Sequence, residues 1–262
     1  MSLIVDMQGR IVTERTNAGS TKTRNMQGGQ ELVAKLADHV EAVGLVPSGV
    51  PDEYRYASLP ICVIDAVYSI GVTYTSTKAT VARFCERHDW PRLAATRDDR
   101  GAGSHGLNEL LHLYVGLEPE EAADRLFGNR QRTSTRSGIL KAEAVRLFSD
   151  ALVRCGIDHF DDITDERIEQ AEATVLALPG QGSGIAFDYF RMLAGNDDLI
   201  KPDRMVLRFV ANALGLAAEP TPRQAALLVR LAARKLSGKN PEWTPLKLDY
   251  AIWHYQSSKP IA

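Results

Sequence analysis

The chain has 262 residues, enough for one large domain or two small ones and for a core that needs neither disulfide nor metal to hold it. Hydrophobic residues make up 44% and charged residues 24%, a balance that excludes disordered, collagen-like and coiled-coil chains. Lys+Arg 31 against Asp+Glu 33 leaves a formal charge of −2, which excludes indiscriminate coating of a polyanion but leaves room for a local basic face.

Residues 1–26 read as an arm with at most one short strand at Ile4–Val12, because Asn17 to Gly29 is rich in Asn, Gly, Ser and Thr. From Gly28 onward apolar residues recur at helical spacing, so the expected fold class is all-α. Leu32, Leu36, Val40 and Val43 form one stripe that Gly44 ends. Pro60 opens a second helix, apolar nearly all round from Ile61 to Ile70 and therefore central. Thr75 or Ser76 caps a third through Val81 and Phe84, and shorter helices follow at Leu107–Val115 and Pro119–Gly128. A longer one, with Leu140, Ala144, Leu147, Ala151 and Leu152, ends at Gly156. Thr164 caps a helix that ends at Leu178-Pro179, and another runs from Ile185 to Leu193. Pro202-Asp203, Thr221-Pro222 and Pro245 begin the last three, giving roughly eleven helices.

Cys62, Cys85 and Cys155 stand far apart without metal-ligand spacing, which predicts buried thiols rather than a disulfide, a zinc site or an iron–sulfur cluster. His105 and His112 share no third ligand, so no metal is expected. No apolar run reaches the length of a membrane span and no leader pattern opens the chain, so a cytoplasmic protein without a membrane partner is expected.

One loop carries chemistry. Leu178-Pro179-Gly180-Gln181-Gly182-Ser183-Gly184 joins two helices, and its three glycines permit a sharp turn with close approach of another backbone. The free N–H groups at the start of the following helix, with the positive end of its dipole, suit a single phosphate. Residues Gly180, Gln181, Gly182, Ser183 and Gly184 are therefore the candidate phosphate-binding segment, in competition with a plain tight turn between helices.

At this point the chain resembles the helix–hairpin–helix DNA glycosylases of the HhH-GPD superfamily. In that family Leu-Pro-Gly-x-Gly is followed by a helix and, about twenty residues on, a catalytic aspartate; here Asp203 follows in Ile200-Lys201-Pro202-Asp203-Arg204. Ala66 to Gly71 with Lys78-Ala79-Thr80 resembles the family's first barrel helix and its loop. Ser137 to Ala142 resembles its Ser-Lys-Ala entry to a later helix, and Leu248 to His254 the closing helix of the alkylpurine branch. The resemblance covers about residues 30–256.

The resemblance implies that Asp203 is the catalytic carboxylate, stabilising the positive charge that develops on the sugar and orienting water. Gly184 stands where branches that also cut the backbone carry a nucleophilic lysine, so a one-function enzyme without Schiff-base chemistry is implied. The four-cysteine cluster of some members is absent. Gly71 stands where several members place a glutamine that enters the duplex, leaving Tyr74 or Tyr68 as candidate wedges. Tyr68, Tyr189 and Trp253 are candidates for holding a flipped base, with His105 as a hydrogen-bonding group. No cofactor is expected beyond a monovalent cation at the hairpin.

Charge is polarised. Residues 201–262 hold ten Lys/Arg against four Asp/Glu, a balance of +6, whereas 157–172 hold seven acids against Arg167, or −6. Arg130, Arg132 and Arg136 form a second basic loop, and Arg230, Arg234 and Lys235 share one helix. The expected architecture is a two-lobed helical bundle: an arm at 1–26, a helical barrel with the hairpin at 61–194, and a second lobe of 27–60 plus 195–262, with Asp203 at the mouth of a cleft between the lobes. The implied function is removal of a damaged or modified base from duplex DNA by a monomeric glycosylase. The alternative is a helix–hairpin–helix protein that binds DNA without catalysis, and a third reading is a helical protein-interaction module.

Overall fold

A computed structural model describes residues 2–5, 11–14, 21–47, 49, 51–101 and 105–258, without the side chains of 2–5, 11–14, 21–28 and 53. Among the described residues, every regular element apart from one two-stranded hairpin is helical. The chain divides into two compact units, one discontinuous (Met1–Val50 with Asp197–Ala262) and one continuous (Pro51–Asn196).

The discontinuous unit opens with strands β1 (Ser2–Val5) and β2 (Ile11–Glu14), paired antiparallel with Ser2 opposite Glu14 and Val5 opposite Ile11. The sequence suggested a single strand there; the chain forms a hairpin. Helix α1 spans Thr21–Ala42, so residues 21–26 are helical rather than part of an arm, and Gly28-Gly29 lie inside the helix. Two glycines cost about 1 kcal/mol each in a helix interior, and the apolar face of α1 outweighs them. That face, Leu32, Leu36 and Val40, packs on α9 (Arg204–Leu214) and α10 (Pro222–Ser237). Gly44 then turns the chain with φ +71°. In α9 Val206, Phe209, Val210 and Leu214 are buried while Arg204 and Arg208 are exposed. Thr221 and Gln224 close a reciprocal cap on α10, and Thr244 caps α11 (Pro245–Ser257) by accepting from the Lys247 N–H at 3.2 Å. Lys35 Nζ donates to the Leu214 carbonyl at 2.9 Å, placing a cation at the negative end of α9.

The continuous unit is built around α2 (Leu59–Tyr68), buried along its whole length and entered through Pro60. It packs against α3 (Tyr74–His88), α6 (Lys141–Arg154) and α8 (Ile185–Ala194). The cap of α3 is Thr73 rather than Thr75 or Ser76, because Gly71 at φ +70° reverses the chain early enough for helix to resume at Tyr74. Between them lie α4 (Leu107–His112) and α5 (Pro119–Ala122), the latter continuing as a π-helical turn, Ala123–Phe127. Arg83 donates to the Phe127 and Gly128 carbonyls and Arg87 to those of Asp124 and Arg125, satisfying the end of that turn. Helix α7 (Asp165–Leu176) is capped by Thr164, which accepts from the Arg167 N–H at 3.3 Å. The core includes a run of rings, Tyr68 on Phe127 and Phe127 stacked on Phe84, and a second group of Phe148, Phe187 and Phe190. Lys141 is only 1% exposed and donates to the carbonyls of Tyr68 (2.9 Å) and Ile70 (2.7 Å), capping the C-terminal end of α2.

Candidate functional site

The glycine segment lies in the continuous unit between α7 and α8. Gly180 (φ +79°) and Gly184 (φ +74°) adopt the left-handed backbone expected of them; Gly182 does not need it. The Gln181 N–H donates to the Leu178 carbonyl at 3.1 Å and the Gly184 N–H to the Gln181 carbonyl at 3.0 Å, so those two amides are occupied within the turn. The amides of Gly182, Ser183 and Ile185 make no backbone hydrogen bond among the described residues, and Gly182 and Ser183 are exposed. They are the donors left for an anion, with the α8 dipole behind them. Asp188 in the first turn of α8 opposes that dipole. Gln181 contributes no exposed donor: its side chain is 4% exposed and its Oε1 is buried without a hydrogen bond.

The loop at 130–140 is packed beside this turn through Thr133, whose β-carbon region fills the space over Gly180. Of the three arginines in that loop, Arg130 forms a two-bond pair with Asp124, and Arg132 donates to the Gly138 carbonyl at 3.0 Å. Arg136 is exposed, with no hydrogen-bond or ion-pair partner among the described residues. Of the three, only Arg130 has its charge offset by an acid among the described residues; Arg132 is held by a carbonyl and keeps its charge.

Asp203 lies in the other unit, as the N-cap of α9. Its Oδ1 accepts from the N–H groups of Met205 (2.8 Å) and Val206 (3.2 Å), and its Oδ2 takes no hydrogen bond from the described residues. The sequence locates this helix start because Pro202-Asp203 precedes an apolar stripe. One oxygen thus serves the fold, leaving the other available at the positive end of a helix dipole. Arg204 and Arg208, one turn apart on the exposed side of α9, are also without ion-pair partners among the described residues.

A second carboxyl stands beside this site. Asp249 on α11 is 8% exposed, and its Oδ2 accepts from the Lys201 N–H at 3.2 Å. Burial pushes its pKa up to about 8; the Asp203 charge adds to that, while the Lys201 N–H and ammonium oppose it. Asp249 lies within the Leu248–His254 stretch of resemblance, which implies no role for it. The available signal was an acid among Leu248, Ala251 and Ile252 on a face otherwise apolar.

The aromatic candidates are dispersed. Tyr68 is 0% exposed, with its ring on Phe127 and its hydroxyl without a hydrogen bond, and burial raises that hydroxyl's pKa far beyond its ordinary value. Tyr189 is likewise buried. Tyr74 is 43% exposed at the start of α3, with Lys78 Nζ 5.7 Å from its ring centre. Together they edge a shallow depression with Asp52, Tyr56 and Arg92. His105 stacks on Trp90, ring centres 4.0 Å apart, and its Nδ1 lies 3.0 Å from Glu109 Oε2. Trp253 is half-buried on α11, one turn beyond Asp249 and stacked on Tyr250.

Among the described residues no group of His, Cys, Asp and Glu is placed to hold a metal, and no helix is long and apolar enough to cross a membrane. The thiols are unpaired; Cys62 and Cys85 are buried, and burial raises the Cys85 pKa to about 12, whereas Cys155, expected to be buried, is half-exposed beyond α6.

A family model described as a domain of unknown function (DUF8548) matches residues 34–257, and the chain belongs to that family. No curated protein and no solved structure matches it.

Proposed function

We propose that this member of the DUF8548 family is a DNA glycosylase, hydrolysing the N-glycosidic bond of a damaged or modified base flipped out of duplex DNA, without a lysine nucleophile. The observation that carries the reading is Asp203, whose Oδ2 remains open while Oδ1 caps α9. Facing a bound sugar, that oxygen stabilises positive charge as the C1′–N bond breaks and its electron pair leaves with the base. Water then adds to C1′, Asp203 takes its proton, and an abasic sugar is left. The resemblance to HhH-GPD enzymes supports the assignment, as do the free amides of Gly182 and Ser183 as a phosphate clamp that reads no sequence. Thr133 Oγ1 and Gln181 Oε1, buried next to the hairpin without hydrogen bonds, are donors of the kind a monovalent cation takes. We read the protein as a monomer of a reducing cytoplasm, a setting that its free thiols suit.

The deciding experiment incubates the protein with duplexes carrying alkylated, oxidised, deaminated or glycosylated bases, then heats them in alkali to cut at abasic sites. Cleavage of at least one lesion, abolished by Asp203→Asn, is expected. No cleavage on any lesion, with salt-sensitive duplex binding retained, instead favours a DNA-binding protein without catalysis. The burial of Tyr68 and Tyr189 speaks for that second reading, since neither offers an open face to a flipped base.

A further inference from the structure

One short piece of backbone links the two carboxyls of the discontinuous unit. The Lys201 N–H donates to Asp249 Oδ2 at 3.2 Å, and the Lys201 carbonyl accepts from the Asp203 N–H at 2.7 Å. Pro202 alone thus separates the residue whose amide Asp249 holds from the residue that presents its carboxylate at the start of α9. Asp249 itself comes from a different helix, α11, flanked by Leu248 and Ile252, both fully buried. Its Oδ1 takes no hydrogen bond from the described residues, and no side-chain cation hydrogen-bonds to either oxygen.

Burying a carboxyl in such a face for one backbone hydrogen bond is an expensive way to brace a turn. An asparagine accepts the same bond with no charge to desolvate. What the acid adds is a proton that it can lose, and the negative charge acting on it is that of Asp203. Helix α11 packs on α9 and α10; of the charged groups on those helices and on the turn before α9, only Lys201 and Asp203 act on Asp249 among the described residues.

We propose that Asp249 is a positioning residue of the Asp203 site, bracing the Lys201–Asp203 turn through its Oδ2 and resetting that turn when its proton leaves, as the Lys201 N–H is drawn in more strongly and Asp203 is pushed away. The inference rests on the reading of Asp203 as the reacting carboxylate. The bond from the Lys201 N–H fixes where the α9 cap begins, and therefore where Asp203 Oδ2 stands. Loss of the proton sets a second negative charge beside that turn, where the Lys201 N–H and ammonium favour it and Asp203 repels it. Burial has already placed that ionisation at about pH 8, so the change of state falls just above neutrality rather than in the ordinary carboxylate range.

The test does not depend on finding a substrate. Side-chain carboxyl resonances of the full chain, assigned by comparison with Asp249→Asn, are followed from pH 4 to pH 10 in the wild type and in Asp203→Asn. A wild-type midpoint near 8 is expected, moving down by roughly half a unit or more when the Asp203 charge is removed. In the same titration, hydrogen exchange at the Lys201 amide, corrected for its intrinsic rise with pH, should slow several-fold across that midpoint in the wild type and show no such step in Asp249→Asn. A midpoint in the ordinary carboxylate range, or one unmoved by Asp203→Asn, overturns the proposal, because a carboxyl that merely fills space would not sense Asp203. Where a cleavable lesion is known, the pH profile of the abasic-site rate should show a step near pH 8 in the wild type that vanishes in Asp249→Asn; the same profile in both overturns it. Failure of every lesion with the titration shift present tells against the glycosylase reading and leaves the coupling of the two carboxyls established.

Discussion

Gly180 sits so close to Thr133 that a β-carbon on the glycine would meet Thr133 Cβ and Oγ1 at 2.6 Å. The hairpin is therefore seated against the 130–140 loop by the absence of a side chain, besides needing φ +79° at that position. Gly180→Ala is expected to destabilise the protein by about 1–3 kcal/mol through strain and overlap together. At Gly182 the nearest atom to such a β-carbon is the Leu176 carbonyl oxygen at 3.7 Å, so Gly182→Ala should shift the thermal midpoint little. Thermal melts of the two variants side by side check the contrast; equal losses would mean that the loop is held some other way. Gly182→Asp adds a negative charge where a phosphate is proposed, and unchanged duplex affinity in that variant would remove the hairpin from the binding surface.

Two tasks of Asp203 separate by substitution. Asparagine keeps an oxygen for the Met205 and Val206 amides, so Asp203→Asn should hold stability within about 0.5 kcal/mol of the wild type, whereas Asp203→Ala loses the cap and about 1 kcal/mol. Abasic-site formation should be lost in both. Activity surviving in Asp203→Asn would move the chemistry elsewhere, whatever the urea midpoints show.

Asp249 gives stability a definite pH dependence. Its folded pKa, about 8, lies above the unfolded value of 3.8, so the folded state binds more protons between the two. The associated stability is fully present below the unfolded value and is lost progressively as pH rises through about 8. Over that span the change is on the order of a few kcal/mol. Asp162, held low chiefly by the His159 N–H, acts in the opposite sense, its contribution fading as pH falls through its folded value. Urea unfolding between pH 5 and pH 9 should show the decline in the wild type and a flatter curve in Asp249→Asn. A wild-type curve that is flat over the same range would contradict the buried, protonated acid.

Lys141 is expected to be costly to replace although it touches neither proposed site. Lys141→Met keeps the length of the chain but leaves the Tyr68 and Ile70 carbonyls without their donor in a buried place. Roughly 2–4 kcal/mol should be lost, read as a lowered urea midpoint with unchanged slope. Lys141→Arg is no rescue, since a planar guanidinium does not fit a space shaped for an ammonium.

Local signals located the helix starts well, because a cap is written in adjacent residues. Thr164, Thr221 and Asp203 each stand directly before an apolar stripe, and each caps through its side chain. Where a start depends on a reversal upstream, as at Gly71 before α3, the cap is Thr73 rather than Thr75 or Ser76. Tandem Gly28-Gly29 looked like a boundary and lies within α1, since packing overrides propensity. The site was legible only as far as its local grammar: the glycine turn and the α9 cap were visible, whereas burial was not. The apolar run from Ile61 to Ile70 marks the helix of Tyr68 as central, yet nothing in the order of residues says that its ring is closed off by Phe127 rather than open to a ligand. Asp249 is illegible for the same reason, its meaning depending on a backbone amide that approaches from another part of the chain.

The bond between Lys35 and the end of α9 joins residues 179 apart, and the whole of the 51–196 unit is threaded between them. During synthesis α1 therefore leaves the ribosome long before α9 and α10 exist to cover its apolar stripe. The 51–196 unit, continuous in sequence, has all its partners at hand and can condense first. Until the last helices arrive, α1 is a nascent amphipathic segment with an open greasy side, so a chaperone that shields such surfaces has a long window in which to meet it.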